Sequence, residues 1–315
     1  MNNILANDGL DKSAVEMLTA NGFTVNTHKI PQEELPNKIH DYDVVVVRSA
    51  TKIRKPELDA ATKLKLVVRG GVGIDNIDAV YAESKGIKVR NTPMASTQSV
   101  AEMVFTHLFS GVRFLTQSNR EMNAGGTFKF NQLKKDFSKG IELKGKTLGI
   151  LGFGNIGIAV ARTALGLGMK VVAYDLYPKT AGVKLDFAEG KSVTIDITTI
   201  SKEEVIVQSD FISVNASGKD EALNKTDFEK MKHGVGIINC ARGGMVNETD
   251  LLEYLNSGKI SFAGLDVFKN EPTPREDLLS HPRISLSPHI AASTLEGQER
   301  VGLEVAQIII DFFGK

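Results

Sequence analysis

A chain of 315 residues, 42% apolar and 24% charged, has room for about two globular domains of 100–200 residues and enough apolar material for both cores. Its 38 basic and 38 acidic residues cancel, so it lacks the clustered basic excess of a nucleic-acid binder, although a local cationic pocket for a small anion is still allowed. The single cysteine, Cys240, excludes an intramolecular disulfide and a cysteine-rich metal site; the start MNNILANDGL does not read as a secretory signal, and neither Val44–Val47 nor Val305–Ile310 approaches the ~20 apolar residues of a membrane helix, so a cytoplasmic protein with no bound metal is expected.

Taken in order, the chain alternates short β-branched runs with helical patterns. Asn3–Asn7 reads as a strand, Asp11–Ala20 as a helix ended by Gly22, and Phe23–His28 as a second strand. Asp43–Arg48 (DVVVVR) reads as a strand buried on both faces, since a continuous valine run needs both covered. A helix opens at Pro56 and runs to about Thr62, and the strand Leu64–Val68 ends in Arg69-Gly70-Gly71-Val72-Gly73. A short helix near Ile77–Ser84 leads to the strand Ile87–Arg90. Ser96–Arg120 then reads as one long helix, with Ser99 and Glu102 at capping-box spacing, and Asn123–Gly140, with Gly125-Gly126, as an irregular polar loop. From Lys146 the rhythm restarts, with strands at Thr147–Leu151, Lys170–Tyr174, Phe211–Val214, Gly236–Asn239, Phe262–Val267 and Ile284–Leu286 and a last helix at Leu295–Phe313.

Strand–helix alternation implies parallel sheets covered by helices. The expected architecture is α/β, with two doubly wound parallel-sheet domains and a cleft between them. Residues 1–95 with 290–315 are expected to form a discontinuous, flavodoxin-like domain, and residues 96–289 a Rossmann-type domain.

Gly152-Phe153-Gly154-Asn155-Ile156-Gly157 is a G-x-G-x-x-G run placed after a strand and opening a helix, the context that gives this short pattern its specificity. Gly152 permits the tight turn, Gly154 lets backbone approach a pyrophosphate, and Gly157 lets helix and strand pack closely. The helix N-terminus then offers free N–H groups to the phosphates. Asp175 ends the next strand, 18 residues beyond Gly157. A carboxylate there accepts from ribose hydroxyls and repels a 2′-phosphate, which favours NAD over NADP. As bland alternatives, the glycines form an ordinary turn and Asp175 an ordinary strand end.

Three later strands each end in ionisable residues: Arg242 in NCARGG, Asp266 and Glu271 in LDVFKNEP, and His289 in SPHIAAS. Ligands of doubly wound sheets lie at the carboxyl ends of strands. His289 suits a general base, since imidazole titrates near pH ~6.5. Glu271 orients the ring and stabilises the imidazolium, and Arg242 offers a planar fork to a carboxylate or keto oxygen. Singly, each has a bland reading as a surface ion pair, a turn or a solvated side chain. His28, His40, His107, His233 and His281 are left as structural or solvated, and Cys240 as a buried strand residue.

The motifs LGILGFGNIG (148–157), INCARGGMV (238–246), GLDVFKNEP (264–272) and SPHIAAST (287–294) resemble those of the D-isomer-specific 2-hydroxyacid dehydrogenases over nearly the full chain. VRSATK (47–52), VRGGVGIDNID (68–78) and NTP (91–93) bring it nearest to the branch that oxidises D-3-phosphoglycerate. The resemblance implies a catalytic triad at Arg242, Glu271 and His289. It implies cofactor contacts at Asn155, Ile156, Asp175, Ala216, Cys240, Ala241, Arg242, Asp266, His289, Ala291 and Ala292, and a homodimer, possibly a tetramer, built on the long helix and the arm after it. It departs from the family at Asn215-Ala216-Ser217, where a His-x-Pro is common, in a shortened Gly218–Asn224, and at Phe128, where relatives often carry tryptophan. Ending at Lys315, the chain is expected to lack a C-terminal regulatory domain and feedback by serine through one.

Arg48 and Arg69 end strands of the first domain and suit a substrate phosphate, with Lys52 adding charge; structural ion pairs are their bland alternative. Successive N–H groups of Gly70, Gly71, Val72 and Gly73 suit a carboxylate. The expected reaction is NAD-dependent oxidation of 3-phospho-D-glycerate to 3-phosphooxypyruvate, the entry to serine synthesis. Reduction of glyoxylate or hydroxypyruvate is the alternative on the same fold, and an NADH-sensing corepressor-like protein the alternative of another class.

Overall fold

The computed structural model describes residues 2–216, 218 and 220–314. The chain divides into two compact units, Met1–Thr97 with Ala292–Lys315 (unit 1) and Gln98–Ala291 (unit 2).

Unit 1 contains β1 (Asn3–Ala6), α1 (Lys12–Ala20), β2 (Thr24–Asn26), α2 (Leu35–Lys38), β3 (Val44–Val47), α3 (Lys55–Ala60), β4 (Leu66–Arg69), α4 (Ala79–Ser84) and β5 (Lys88–Asn91). Its sheet is parallel throughout, in the order β2-β1-β3-β4-β5, the flavodoxin-like winding. Side chains alternate across a strand. Val44 and Val46 therefore face one core with Leu66 and Val68, while Val45 and Val47 face the opposite core with Leu35, Ile39 and Leu58.

Unit 2 begins with two helices, α5 (Thr97–Val112) and α6 (Leu115–Asp136). It continues through β6 (Thr147–Leu151), α7 (Asn155–Gly166), β7 (Lys170–Tyr174), β8 (Thr180–Asp186), β9 (Ser192–Thr198), α8 (Lys202–Gln208) and β10 (Phe211–Val214). There follow α9 (Lys225–Lys230), β11 (Val235–Asn239), α10 (Glu248–Asn256), β12 (Ile260–Leu265), α11 (Glu276–Ser280) and β13 (Ile284–Leu286). Its main sheet, parallel in the order β13-β12-β11-β10-β6-β7, reverses direction between β6 and β10. That reversal is the switch point at which such sheets bind nucleotides.

The last helix, α12 (Leu295–Phe313), belongs to unit 1. Thr294 caps its start by accepting from Gly297 N, and Val301, Val305 and Ile309 bury against the face lined by Ala14 and Leu18 of α1. Gly302 makes the approach possible, since a Cβ there would lie 2.8 Å from the Cβ of Asp11 and 3.2 Å from that of Ala14.

Three local expectations are corrected. The helix expected over Ser96–Arg120 breaks after Val112, where Phe114 takes the left-handed conformation (φ 55°). Gly111 stands just before the break and accepts from Phe114 N at 3.3 Å, and the returning chain meets it there, through a hydrogen bond from Ile141 N to Val112 O. Because α5 starts at Thr97, Ser99 lies buried inside the helix rather than at its cap. The loop expected over Asn123–Gly140 is helical to Asp136: glycine costs a helix only ~1 kcal/mol, and Gly125 alone leaves helical geometry, as a kink. Beyond β7 the chain also forms an antiparallel β8–β9 hairpin that has no counterpart among the expected elements.

Candidate active site

Unit 2 gathers most of the expected site residues at one edge of its sheet. Gly152 closes the turn after β6 at φ 93°, and a Cβ there would meet the backbone of Ala216, leaving β10, at 2.5–2.6 Å. A Cβ on Gly157 would lie 2.2 Å from the carbonyl oxygen of Gly152, so only glycine lets α7 start this close to its strand. At Gly154 the reverse holds, since a Cβ would meet nothing within 4 Å. Gly154 is the N-cap of α7 and supplies no side chain, so the first-turn amides of α7 have no side-chain cap. A pyrophosphate fits there. Asp175, after β7, accepts from Phe153 N at 2.7 Å and from Tyr177 N at 3.1 Å and so buttresses the glycine turn, with Lys179 Nζ 3.9 Å away. Ser217, part of the Asn215-Ala216-Ser217 departure, lies outside the described residues.

Adjacent strands bring the reactive groups to the same edge. Asn239 pairs with Leu265, and Leu265 with Leu286, so the segments carrying Arg242, Glu271 and His289 leave three neighbouring strands side by side. The buried Asn239 shapes the first turn: its amide donates to Arg242 O at 2.9 Å and its oxygen accepts from Ala241 N at 3.1 Å. Gly243 presses against the Phe268 carbonyl, where a Cβ would lie 1.9 Å away, so the arginine turn abuts the glutamate segment. Arg242 also donates to its neighbour's carbonyl, Ala241 O, at 2.7 Å.

Glu271 and His289 meet directly, with His289 Nδ1 2.7 Å from Glu271 Oε2. The other carboxylate oxygen accepts from Phe268 N at 2.9 Å, which fixes its plane. An acceptor at Nδ1 keeps the proton on that nitrogen and leaves the Nε2 lone pair available. The His289 and Glu271 side chains are 49% and 35% exposed, so a substrate can reach them.

His289 has φ 55°, a left-handed backbone that costs a non-glycine residue about 1 kcal/mol or more. Its amide donates to Asp266 O at 2.8 Å, and the next two amides, Ile290 N and Ala291 N, donate to the Asp266 carboxylate at 2.9 Å each. Asp266 has no exposed surface. In this structure its carboxylate holds the loop that carries His289. Ala291 is buried and Ala292 half-buried in the chain that follows. Cys240 is buried; burial pushes its thiol well above the usual range and the Asp266 carboxylate adds to the effect.

Two residues that carry this geometry had no role in the sequence reading. Ser287 donates to Asp266 Oδ1 at 2.5 Å, and His107 of α5 contacts Ser287 through Nε2 at 3.0 Å and Ser285 through Nδ1 at 2.9 Å. Ser287 stands in the recognisable SPH run. His107 has no local signal, being brought in by α5 from 178 residues upstream of Ser285.

In unit 1, Arg48 lines a cavity of about 350 Å³ with Asp8, Asp11, Lys12, Gly70 and Gln298. Its guanidinium reaches Gln298 Oε1 at 3.5 Å, and among the described residues no carboxylate lies within ion-pair distance. Arg69 folds over Gly71, where a Cβ would collide with its guanidinium. The expected row of free amides is shorter than supposed. Gly70 N donates to Val47 O at 2.8 Å and Gly71 N to Thr92 Oγ1 at 2.7 Å, leaving Val72 and Gly73 without an amide partner among the described residues. The exposed Lys52 donates its backbone N–H to Gln32 Oε1 at 2.9 Å.

Residues 105–291 match the family model described as D-isomer specific 2-hydroxyacid dehydrogenase, NAD binding domain. The chain is 40% identical over 315 residues to a hydroxypyruvate reductase of Thermotoga maritima, covering 98% of this chain and 97% of that one. It is 35% identical over 313 residues to a D-3-phosphoglycerate dehydrogenase of Archaeoglobus fulgidus, covering 98% of this chain and 56% of the relative. Among solved structures it resembles a D-lactate dehydrogenase from Aquifex aeolicus complexed with NAD and lactic acid, at TM-score 0.76 and 27% identity over 99% of this chain and 96% of that one. The chain belongs to the D-isomer-specific 2-hydroxyacid dehydrogenase family. It is therefore an oxidoreductase that works with NAD on small D-2-hydroxy acids. Among the described residues no helix is long and apolar enough to cross a membrane.

Burial lowers the pKa of His107, with the Asp266 charge opposing. Below about pH 6.5 the unfolded chain takes up a proton that the folded ring refuses, so stability falls with pH at a limiting slope of about 1.4 kcal/mol per unit. Thermal melts at pH 7.5 and 5.5 are expected to show a larger drop for the wild type than for His107→Gln. Equal drops would remove His107 from the acid response.

Proposed function

We propose that the protein oxidises 3-phospho-D-glycerate to 3-phosphooxypyruvate, with His289 as the acid–base group, Glu271 as its charge partner and Arg242 as the ligand of the substrate's carboxylate and keto oxygen. Bound NAD supplies the two-electron acceptor at the carbinol carbon. Its pyrophosphate is assigned to the amides that follow Gly154, and its adenosine ribose to Asp175. In the oxidative direction the substrate hydroxyl gives its proton to His289 Nε2. The imidazolium so formed is stabilised by Glu271 at 2.7 Å, and Arg242 draws charge from the forming carbonyl. In reverse, His289 returns the proton. The His289–Glu271 contact carries this reading and argues against an NADH-sensing binding protein.

Arg48 carries the choice of substrate. A guanidinium that lines a cavity and meets only an amide oxygen at 3.5 Å is free to bind a phosphate. Arg69, Lys52 and the amides of Val72 and Gly73 are assigned to the same ligand. Hydroxypyruvate reduction is the second reading, favoured by the 40% identity that runs the length of both chains. We further infer a homodimer, supported by apolar side chains left exposed along α5 and α6, among them Phe109, Leu115, Phe128 and Phe130.

His289→Ala is expected to lower kcat by 10²–10⁴-fold with cofactor affinity unchanged. Steady-state kinetics with NADH-fluorescence titration check this, and undiminished turnover removes His289 as the base. Arg48→Ala is expected to raise KM for 3-phosphoglycerate at least tenfold and for hydroxypyruvate less than threefold. Equal effects, or a wild-type enzyme that turns over hydroxypyruvate and ignores phosphoglycerate, favour the second reading. In sedimentation velocity the wild type is expected as a dimer and Phe128→Asp/Phe130→Asp as a monomer; an unshifted boundary moves the interface elsewhere.

A further inference from the structure

His107 is 2% exposed, and its ring sits where β12 has no side chain: a Cβ on Gly264 would lie 2.4 Å from His107 Cβ. Both ring nitrogens are engaged, Nδ1 with Ser285 at 2.9 Å and Nε2 with Ser287 at 3.0 Å. The direction of each bond follows from the last one. Ser287 has one hydroxyl proton and gives it to Asp266 Oδ1 at 2.5 Å. Toward His107 it accepts, which places the ring proton on Nε2 and makes Nδ1 the acceptor of the Ser285 proton. Thr116 in turn donates to Ser285 at 3.4 Å, and Ser110, 2.6 Å from Thr116, donates to it. Five groups thus hand hydrogen bonds in one direction, from α5 and α6 to the carboxylate under the His289 loop, an arrangement in which each bond polarises the next. Burial lowers the pKa of the ring against the opposing Asp266 charge, the direction the chain requires.

We propose that His107 is a positioning residue for the acid–base pair: by donating through Nε2 it fixes the Ser287 hydroxyl on Asp266, and Asp266 in turn holds the backbone that aims His289. The proposal rests on His289 being the acid–base group. An apolar side chain in place of His107 fills the same volume but frees Ser287 to turn toward Met103 Sδ, 4.0 Å away, and removes one of the three donors that compensate a buried carboxylate. The His289 loop, strained at φ 55°, then loses its only arrangement.

The test compares His107→Leu, His107→Gln and Ser287→Ala, assayed with whichever of 3-phosphoglycerate plus NAD or hydroxypyruvate plus NADH the wild type turns over faster. His107→Leu and Ser287→Ala are expected to lose at least tenfold in kcat, with the NADH dissociation constant changed less than twofold. His107→Gln, whose amide donates near the Nε2 position, is expected within threefold of wild type. The double variant His107→Leu/Ser287→Ala is expected to fall no further than the worse single, as members of one chain do. ¹⁵N spectra are expected to show the neutral Nε2–H tautomer at His107 at pH 7, a readout independent of turnover. Wild-type kcat in His107→Leu, equal losses in Leu and Gln, multiplicative losses in the double variant, or an Nδ1–H or charged ring each overturn the proposal. If His107→Leu does not fold, Ser287→Ala, His107→Gln and the spectra decide the matter. Failure of the underlying reading has a separate signature, since His289→Ala would then keep its turnover while the His107 tautomer stayed as assigned.

Discussion

The reactive edge of unit 2 hangs from one carboxylate with no exposed surface, that of Asp266. Burying such a group without partners costs several kcal/mol, and the protein offsets this with three donors, the Ser287 hydroxyl and the amides of Ile290 and Ala291. Losing any of these donors would expose part of the desolvation penalty, which ties the loop from Ser287 to Ala291 to this arrangement. Those bonds hold His289 in a left-handed backbone, with Nδ1 on Glu271. A weakly solvated anion inside the fold thus sets the geometry of a half-exposed base at the surface.

Glu271 and Asp266 show why two acids five positions apart do different work. Glu271 is reachable and spends one oxygen on Phe268 N and the other on His289, so its charge is available to an imidazolium. Asp266 spends its oxygens on neutral donors and supports backbone. Both follow β12, and neither role is written in the residue type. What separates them is depth: the first residue past a fully buried strand stays in the core, and five further residues bring the chain back to solvent.

Depth also sets how much was legible in the sequence. Strands such as Val44–Val47 announced themselves because a run of β-branched residues buried on both faces has no other economical state, and the glycine turn because each glycine answers a different steric demand. His289, Glu271 and Arg242 stood at strand ends, where chain order alone brings them to one edge. Three kinds of feature stayed hidden. The α5–α6 break depends on Ile141 returning to Val112, a contact that local pattern does not contain. The amides of Gly70 and Gly71 looked available because glycine content was visible while their acceptors, Val47 O and Thr92 Oγ1, were not. His107 looked like any core histidine, because its importance lies in partners almost two hundred residues away.

Net charge misleads for the same reason. Zero overall charge describes a surface of paired groups, such as Lys55 with Asp59 and Lys230 with Glu203, which contribute little to stability and nothing to recognition. Arg48 does not follow that pattern. Arg48 meets an amide oxygen where a carboxylate would have neutralised it, and its backbone N–H, rather than its guanidinium, is what Asp8 engages at 2.7 Å. Asp8 therefore orders the arginine's backbone without cancelling its charge, just as Asp266 orders His289 without competing for its proton. In both places an acid is satisfied by backbone amides, and the neighbouring side chain, a guanidinium or an imidazole, is left to other partners.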